Sequence, residues 1–166
     1  MNARRIQGFT LLEVLIAVLV LSIGLLGLAG LQATGLQNNH SAYLRTQATV
    51  RAYDIADRMR ANPQGLANGN YNNGVAAVNT ACTSSAGCTP AEMAGNDLAD
   101  WNADNAAWLP SGGGLVCVDQ VVAPAPPEPL NAPVCDGLGN VYVIYVWWDD
   151  AHNGVPDTRF VTSFQP

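Results

Sequence analysis

Apolar and polar positions divide the chain into stretches of different character. Residues 1–8 are mixed and carry Arg4 and Arg5. Phe9 to Leu31, 23 residues, is apolar almost without interruption, and Glu13 is its one charge. From Gln32 the apolar positions thin out and take helical spacing. Leu44, Ala48, Ile55, Ala56 and Met59 fall on one face, while Arg45, Arg51, Asp54, Asp57, Arg58 and Arg60 supply charge. The two patterns join without a break and predict one helix of about fifty residues running to about Ala61. Asn62–Pro63 stops it, because the residue before a proline avoids the helical region. Propensity alone does not hold so long a helix; it needs lipid on one half and a packed domain on the other.

Beyond Pro63 the pattern shortens. Gln64 to Gly87 is turn-rich around "ANGNYNNG" and reads as a loop. Thr89–Pro90–Ala91–Glu92 reads as a helix start: a capping threonine, proline in the first turn, glutamate three on. Leu98, Trp101, Trp108 and Leu109 share a face, so a second helix is expected near 90–109, ended by Pro110 to Gly114. Leu115–Val122, Val141–Trp148 and Arg159–Phe164 read as strands. The "APAPPEPLNAP" between the first two is too rich in proline for one. The expected class is α+β: a long amino-terminal helix packed on an antiparallel sheet of three to four strands, with a second short helix.

The apolar stretch would be roughly 34 Å long as a helix, against a hydrocarbon core of about 30 Å. Arg4 and Arg5 precede it and the next basic residue is Arg45. By the positive-inside rule the amino terminus stays in the cytoplasm and the rest crosses, a single pass that puts residues 32–62 and the globular region 63–166 in a bacterial periplasm. Charge agrees with a soluble outer part. The chain has no lysine, and from Ala61 onward ten acidic residues face one base, Arg159, for about −9. Such a surface repels nucleic acid phosphates. The four cysteines, Cys82, Cys88, Cys117 and Cys135, all lie in this part. An even number in a loop-rich region outside the cytosol suggests two disulfides, with three connectivities possible. Cys82–Cys88 and Cys117–Cys135 are favoured, since each closes a turn-rich segment.

An ordinary signal peptide has a shorter apolar core followed by a small-residue cleavage site. Here the break, Gly8–Phe9, precedes the apolar run. "GFTLLEVLIAVLVLSIGLLGL" closely resembles the amino terminus of type IV pilins and of the pseudopilins of type II secretion. The features are Gly8, Phe9, Thr10–Leu11–Leu12, Glu13 and the uninterrupted apolar stretch. "GLLGLAGLQATGLQNNHSAYLRTQA" and "ADRMRANP" resemble the PilV type of minor pilin, over roughly the first 63 residues. The resemblance implies that residues 1–8 are a leader removed by a membrane prepilin peptidase. It implies cleavage between Gly8 and Phe9, methylation of the new Phe9 amine, and a role for Glu13 in filament assembly. Residues 9–31 would then be the membrane and filament-core half of the helix.

Elementary energetics fit this. A charged glutamate at the centre of a bilayer costs about 2.5–3.5 kcal/mol on an insertion scale. Near the helix start the cost falls, because the positive end of the helix dipole and a cationic Phe9 amine are close. In staggered helices Glu13 can reach a neighbour's Phe9 amine, a pairing better at fixing register than at adding stability. Gly24, Gly27 and Gly30 recur every third residue and would let helices approach closely; they also weaken the helix by about 1 kcal/mol each relative to alanine.

Other chemistry fails on spacing. His40 and His152 have no cysteine or histidine neighbours at metal spacing. Cys82–Cys88 is not a C-x2-C motif. In "WWDDAHNGVPD", Asp149, Asp150, Asn153 and Asp157 invite Ca²⁺, but Ala151 and Phe160 stand where a calcium loop needs ligands. A turn on Asn153–Gly154 with solvated acids is expected instead. No nucleophile–base pair stands out, so neither an enzyme nor a cofactor is expected. The expected partners are major and minor pilins, the prepilin peptidase, the inner-membrane assembly platform, a tip adhesin, and lipid before assembly; the outcome would be twitching motility and surface adhesion. The alternatives are a type II secretion pseudopilin, and a periplasmic enzyme or binding domain on an uncleaved anchor.

Overall fold

A computed structural model describes residues 10–120 and 129–165. The chain falls into two compact units, one up to Ser41 and one from Ala42 onward. Helix α1, Leu11–Ala61, contributes to both.

In the first unit every leucine, isoleucine and valine from Leu11 to Leu31 is at least 52% exposed. Among the described residues α1 is the one helix long and apolar enough to cross a membrane. Its few polar groups turn back on the helix itself. The Ser22 hydroxyl donates to the Val18 carbonyl at 2.5 Å and the Thr34 hydroxyl to that of Gly30 at 3.1 Å. A hydroxyl satisfied four residues back presents no unpaired donor to an apolar surrounding. The helix runs unbroken through Gly24, Gly27 and Gly30, and beyond the adjoining residues and the backbone of the helix itself no described atom lies within 4 Å of where a Cβ would stand on any of the three.

The second unit begins with the amphipathic half of α1. Leu44, Ala48, Ala52, Ile55, Ala56 and Met59 are buried on one face. They meet Leu98 and Trp101 of helix α3 (Pro90–Trp108) and Val116, Ile144, Val146 and Trp148 of the sheet in one apolar core. The Trp101 indole N–H donates to the Arg51 carbonyl at 2.8 Å, so the largest buried ring is also tied to the helix it packs on. Strands β1 (Gly113–Val118), β2 (Tyr142–Trp148) and β3 (Thr158–Phe164) form an antiparallel sheet in the order β1-β2-β3, with Gly113 opposite Trp147 and Tyr142 opposite Phe164. The long helix, the second helix and the antiparallel sheet are the expected α+β class.

The boundaries differ from expectation in instructive ways. Pro63, expected to end one helix, also begins another: α2, Pro63–Ala67, is capped by the Asn62 side chain, which accepts from Gly65 N–H at 3.0 Å. A 3-10 turn at Thr80–Thr83, capped by Asn79, lies in the same stretch that read as loop. The second helix ends before Pro110 as expected, and the last two glycines of that run, Gly113 and Gly114, also open β1. A Cβ on Gly114 would stand 2.2 Å from the Trp101 ring, and one on Gly113 would stand 2.8 Å from the Trp147 ring, so two indoles occupy the space of two side chains. Trp108 does not share the buried face of Leu98 and Trp101. It is 52% exposed, with the Arg51 guanidinium 5.4 Å from its ring centre. β1 ends at Val118, and the expected strand residues Val121 and Val122 lie outside the described residues.

The two sides of the sheet differ as well. One carries the core. On the other, Cys117, Val143 and Tyr145 are buried with Leu115, Trp147 and Cys135 packed against them. Cys117 is bonded to Cys135, 18 residues on, and Cys82 to Cys88. The outer edge of β1 is closed by asparagines: Gly114 N–H donates to Asn102 at 2.9 Å, Val116 C=O accepts from Asn73 N–H at 3.0 Å, and Val118 N–H donates to Asn72 at 2.8 Å. Gly137 N–H takes the Val118 carbonyl at 3.0 Å.

A polar network fixes the end of α1. Asn62 donates to Tyr71 Oη at 3.1 Å and to the Pro90 carbonyl at 2.8 Å, and Tyr71 donates to Asp97 at 2.5 Å. Arg58 pairs with Asp54 at 3.1 Å and stands 3.9 Å from Asp97. Burial pushes the Asp97 carboxyl above the usual carboxylate range, against the opposing pull of Tyr71 and Arg58. Burial and the bond to Asp97 also push the Tyr71 phenol up.

The β2–β3 connection corrects a further expectation. Its acids are not simply solvated. Asp149 is 2% exposed and accepts from Asn153 N–H at 3.0 Å and Gly154 N–H at 2.6 Å. Asp157 accepts from Asp150 N–H at 2.8 Å and Ala151 N–H at 3.0 Å, bonds that hold its carboxyl below the usual range. His152 and Gly154, rather than Asn153, take positive φ. Two carboxylates clasp the loop from within.

Candidate functional site

The candidate site is the surface of α1, starting at its amino-terminal end. Thr10 stands just before the helix. Its hydroxyl oxygen accepts from Glu13 N–H at 3.3 Å, and its carbonyl accepts from Glu13 and Val14 N–H at 3.1 and 3.3 Å. Thr10 is therefore the helix cap and Glu13 the third helical residue. That is the position at which an acidic side chain meets the free N–H groups and the positive end of the helix dipole. The T-x-x-E spacing that announced the second helix at Thr89–Glu92 is present at Thr10–Glu13 too, and was the signal by which this cap could have been found. At Thr89 the reciprocal box is complete: Thr89 accepts from Glu92 N–H at 3.3 Å and donates its own N–H to the Glu92 carboxylate at 2.8 Å. That N–H bond, with one that the Thr89 hydroxyl donates to the same carboxylate at 2.7 Å, holds Glu92 below the usual carboxylate range.

Glu13 is exposed, beside a shallow apolar groove lined by Val14, Ala17, Val18 and Leu21. A carboxylate so placed, on an apolar helix surface and next to unpaired helix N–H groups, is suited to receive a cation carried by another apolar helix. Gly8 and Phe9 lie outside the described residues. Gly24, Gly27 and Gly30 lie further along on open helix surface.

A second apolar surface lies on α1 within the second unit. Tyr43, Val50 and Tyr53 are 49%, 52% and 58% exposed. Their steps of seven and three set them on the side of the helix away from Leu44, Ala48 and Ile55. Sequence periodicity pointed to the buried face alone; this exposed one appears only once the core face is known.

The remaining candidates serve the fold. The disulfides Cys82–Cys88 and Cys117–Cys135 staple loops, with Cα atoms 4.9 and 6.2 Å apart. His152 Nδ1 lies 3.0 Å from the Asp150 carbonyl. Among the described residues no three histidines, cysteines or acids gather to hold a metal ion.

Comparison with known families places two matches end to end. Residues 3–29 match the prokaryotic N-terminal methylation motif. Residues 30–99 match the family described as type IV pilin Tt1218. No curated protein and no solved structure matches the chain. The chain thus matches a methylation motif followed directly by a stretch similar to a type IV pilin family, and such a motif implies processing by a prepilin peptidase and assembly with other pilins.

Proposed function

We propose, on the premise that a methylation motif joined to a type IV pilin domain makes a pilin, that this chain is a PilV-like minor pilin whose work is assembly of the filament. The leader, residues 1–8, is removed between Gly8 and Phe9, and the Phe9 amine is methylated. Residues 9–31 anchor the subunit in the inner membrane, with the amino terminus inside and the acidic domain in the periplasm, until it enters the pilus. There Glu13 meets the Phe9 amine of a neighbour, and Gly24, Gly27 and Gly30 let the helices close on one another. The chain does no catalysis. Its partners are major and minor pilins, the assembly platform and a tip adhesin, and its output is twitching motility and adhesion.

The observation that carries this is the apolar surface of α1. At least 52% of every large aliphatic side chain from Leu11 to Leu31 is bare in the single chain, with one carboxylate set in the first turn. Lipid can cover that surface before assembly, and sister helices can cover it afterwards. The exposed Tyr43, Val50 and Tyr53 continue the supply of helix-packing surface into the domain.

Amino-terminal mass spectrometry of protein purified from membranes tests processing: a methylated Phe9 terminus is expected, and an intact Met1 terminus overturns the reading. A deletion strain separates pilus from secretion. Loss of twitching with exoprotein secretion intact is expected; the reverse identifies a type II pseudopilin.

A further inference from the structure

The two edges of the sheet are treated differently. On β1 the outward Gly114 N–H, Val116 C=O and Val118 N–H are taken by Asn102, Asn73 and Asn72. Those residues alternate, so Gly113, Leu115 and Cys117 are the ones that bond to β2. The alternation carries across β2, and Thr158, Phe160, Thr162 and Phe164 of β3 bond inward. The N–H and C=O groups of Arg159, Val161 and Ser163 therefore turn outward, and no described residue bonds to them.

Edge strands of this kind are normally blunted by proline, by outward charge, by a bulge or by shortness. β3 has none of these. It runs for seven residues in unbroken register and contains no proline. Its one charge, Arg159, folds inward with its guanidinium 5.1 Å from the Tyr145 ring centre. Val161 is 37% exposed.

We propose that β3 is a docking edge that takes an extended, basic segment of a different polypeptide as a fourth strand. Backbone pairing supplies the affinity and the alternate side chains the selectivity. Charge chooses the occupant. The region from Ala61 onward carries about −9, ten acids against one base, yet Thr158–Phe164 holds no acid. A second copy would bring the same acidic region to the same border, whereas a basic strand gains from the surrounding field. The proposal needs neither leader cleavage nor Glu13, so it can fail while the assembly reading stands.

The test uses the full-length protein in neutral detergent micelles and three labelled eight-residue peptides. One alternates threonine and valine and carries two arginines; one has glutamates in place of the arginines; the third is the arginine peptide N-methylated throughout. Fluorescence anisotropy should show the arginine peptide binding at least tenfold more tightly than the other two, and more weakly as salt rises. Val161→Pro should abolish binding. It removes an outward N–H and leaves the bonds to β2 in place, the arrangement in which an edge strand tolerates proline. Ser163→Pro is the second variant. If both lose the near-ultraviolet circular dichroism of the folded protein, the comparison of plain and N-methylated peptide on the unaltered chain decides. Equal binding by those two peptides, binding unaffected in a folded proline variant, or no binding at all overturns the proposal. So does a concentration-dependent dimer that Val161→Pro removes, which would make a second copy the occupant.

Discussion

At the scale of single residues, two acids show how differently a carboxylate can be used. Glu13 has an apolar helix around it and no basic side chain bonded to it among the described residues. Glu13→Ala should leave membrane insertion intact and abolish incorporation into filaments, measured by fractionating cells and sheared pili. Insertion lost together with assembly would instead make Glu13 a folding residue. Asp149 works locally. It is 2% exposed and bonded to two backbone N–H groups, so Asp149→Ala strands both donors. The expected cost is about 2 kcal/mol, the range for bonds to a charged group, seen as a lower midpoint in denaturant unfolding. Glu13 was legible in the sequence because an acid inside an apolar run has no bland neighbours to explain it. Asp149 was not, because acids in a turn look alike until the backbone shows which of them points inward.

At the scale of elements, the clamp at the end of α1 makes stability depend on pH with a distinctive sign. The folded pKa of Asp97 is raised, so just above the ordinary carboxylate pKa the folded state holds the proton more firmly than the unfolded chain. Its contribution is fully present below that pKa and is lost as pH rises through the raised folded value. Glu92 and Asp157, both lowered, act the other way, and their contribution is lost as pH falls. Asp97→Asn removes only the first effect. Unfolding midpoints of the two proteins should differ most on the acid side, with the variant at its greatest disadvantage there, and should converge or cross toward neutral pH. A constant offset across that range would refute the assignment.

The Cys117–Cys135 bridge spans 18 residues and holds Cys135 against the non-core side of the sheet. Replacing both cysteines by serine should cost about 3 kcal/mol, read from denaturant unfolding. The elements themselves were mostly legible. The buried face of α1 follows from Leu44, Ala48, Ile55, Ala56 and Met59, and the capping box of α3 from four residues. What escaped was α2, because Pro63 both stops and starts a helix, and the first residues of β1, because Gly113 and Gly114 read as breakers until Trp147 and Trp101 are seen to fill their place.

At the scale of the whole molecule, one chain is read as satisfying a membrane and then sister subunits in turn. Its charge is divided accordingly: Arg4 and Arg5 before the apolar run, and about −9 from Ala61 onward. Moving the two arginines tests the topology. Arg4→Glu with Arg5→Glu should impair membrane orientation and leave cysteines unpaired, measured by thiol labelling in intact cells. Normal labelling protection would show that other features set the orientation. The overall class was legible because the apolar run and the methylation motif are local in sequence. Exposed surfaces were not, since the exposed side of α1 and the side of β3 to which no described residue bonds exist only relative to a core that the fold creates.

The asparagine apron of β1 has a consequence for aggregation. A protein whose sheet were open on both sides could add copies without end and grow into a ribbon. Here Asn72, Asn73 and Asn102, with Gly137, already hold four of the six outward backbone groups of Gly114, Val116 and Val118. Whatever joins the other side, a further strand meets an edge already occupied along most of its length, which helps a crowded membrane to hold many such molecules without tangling them.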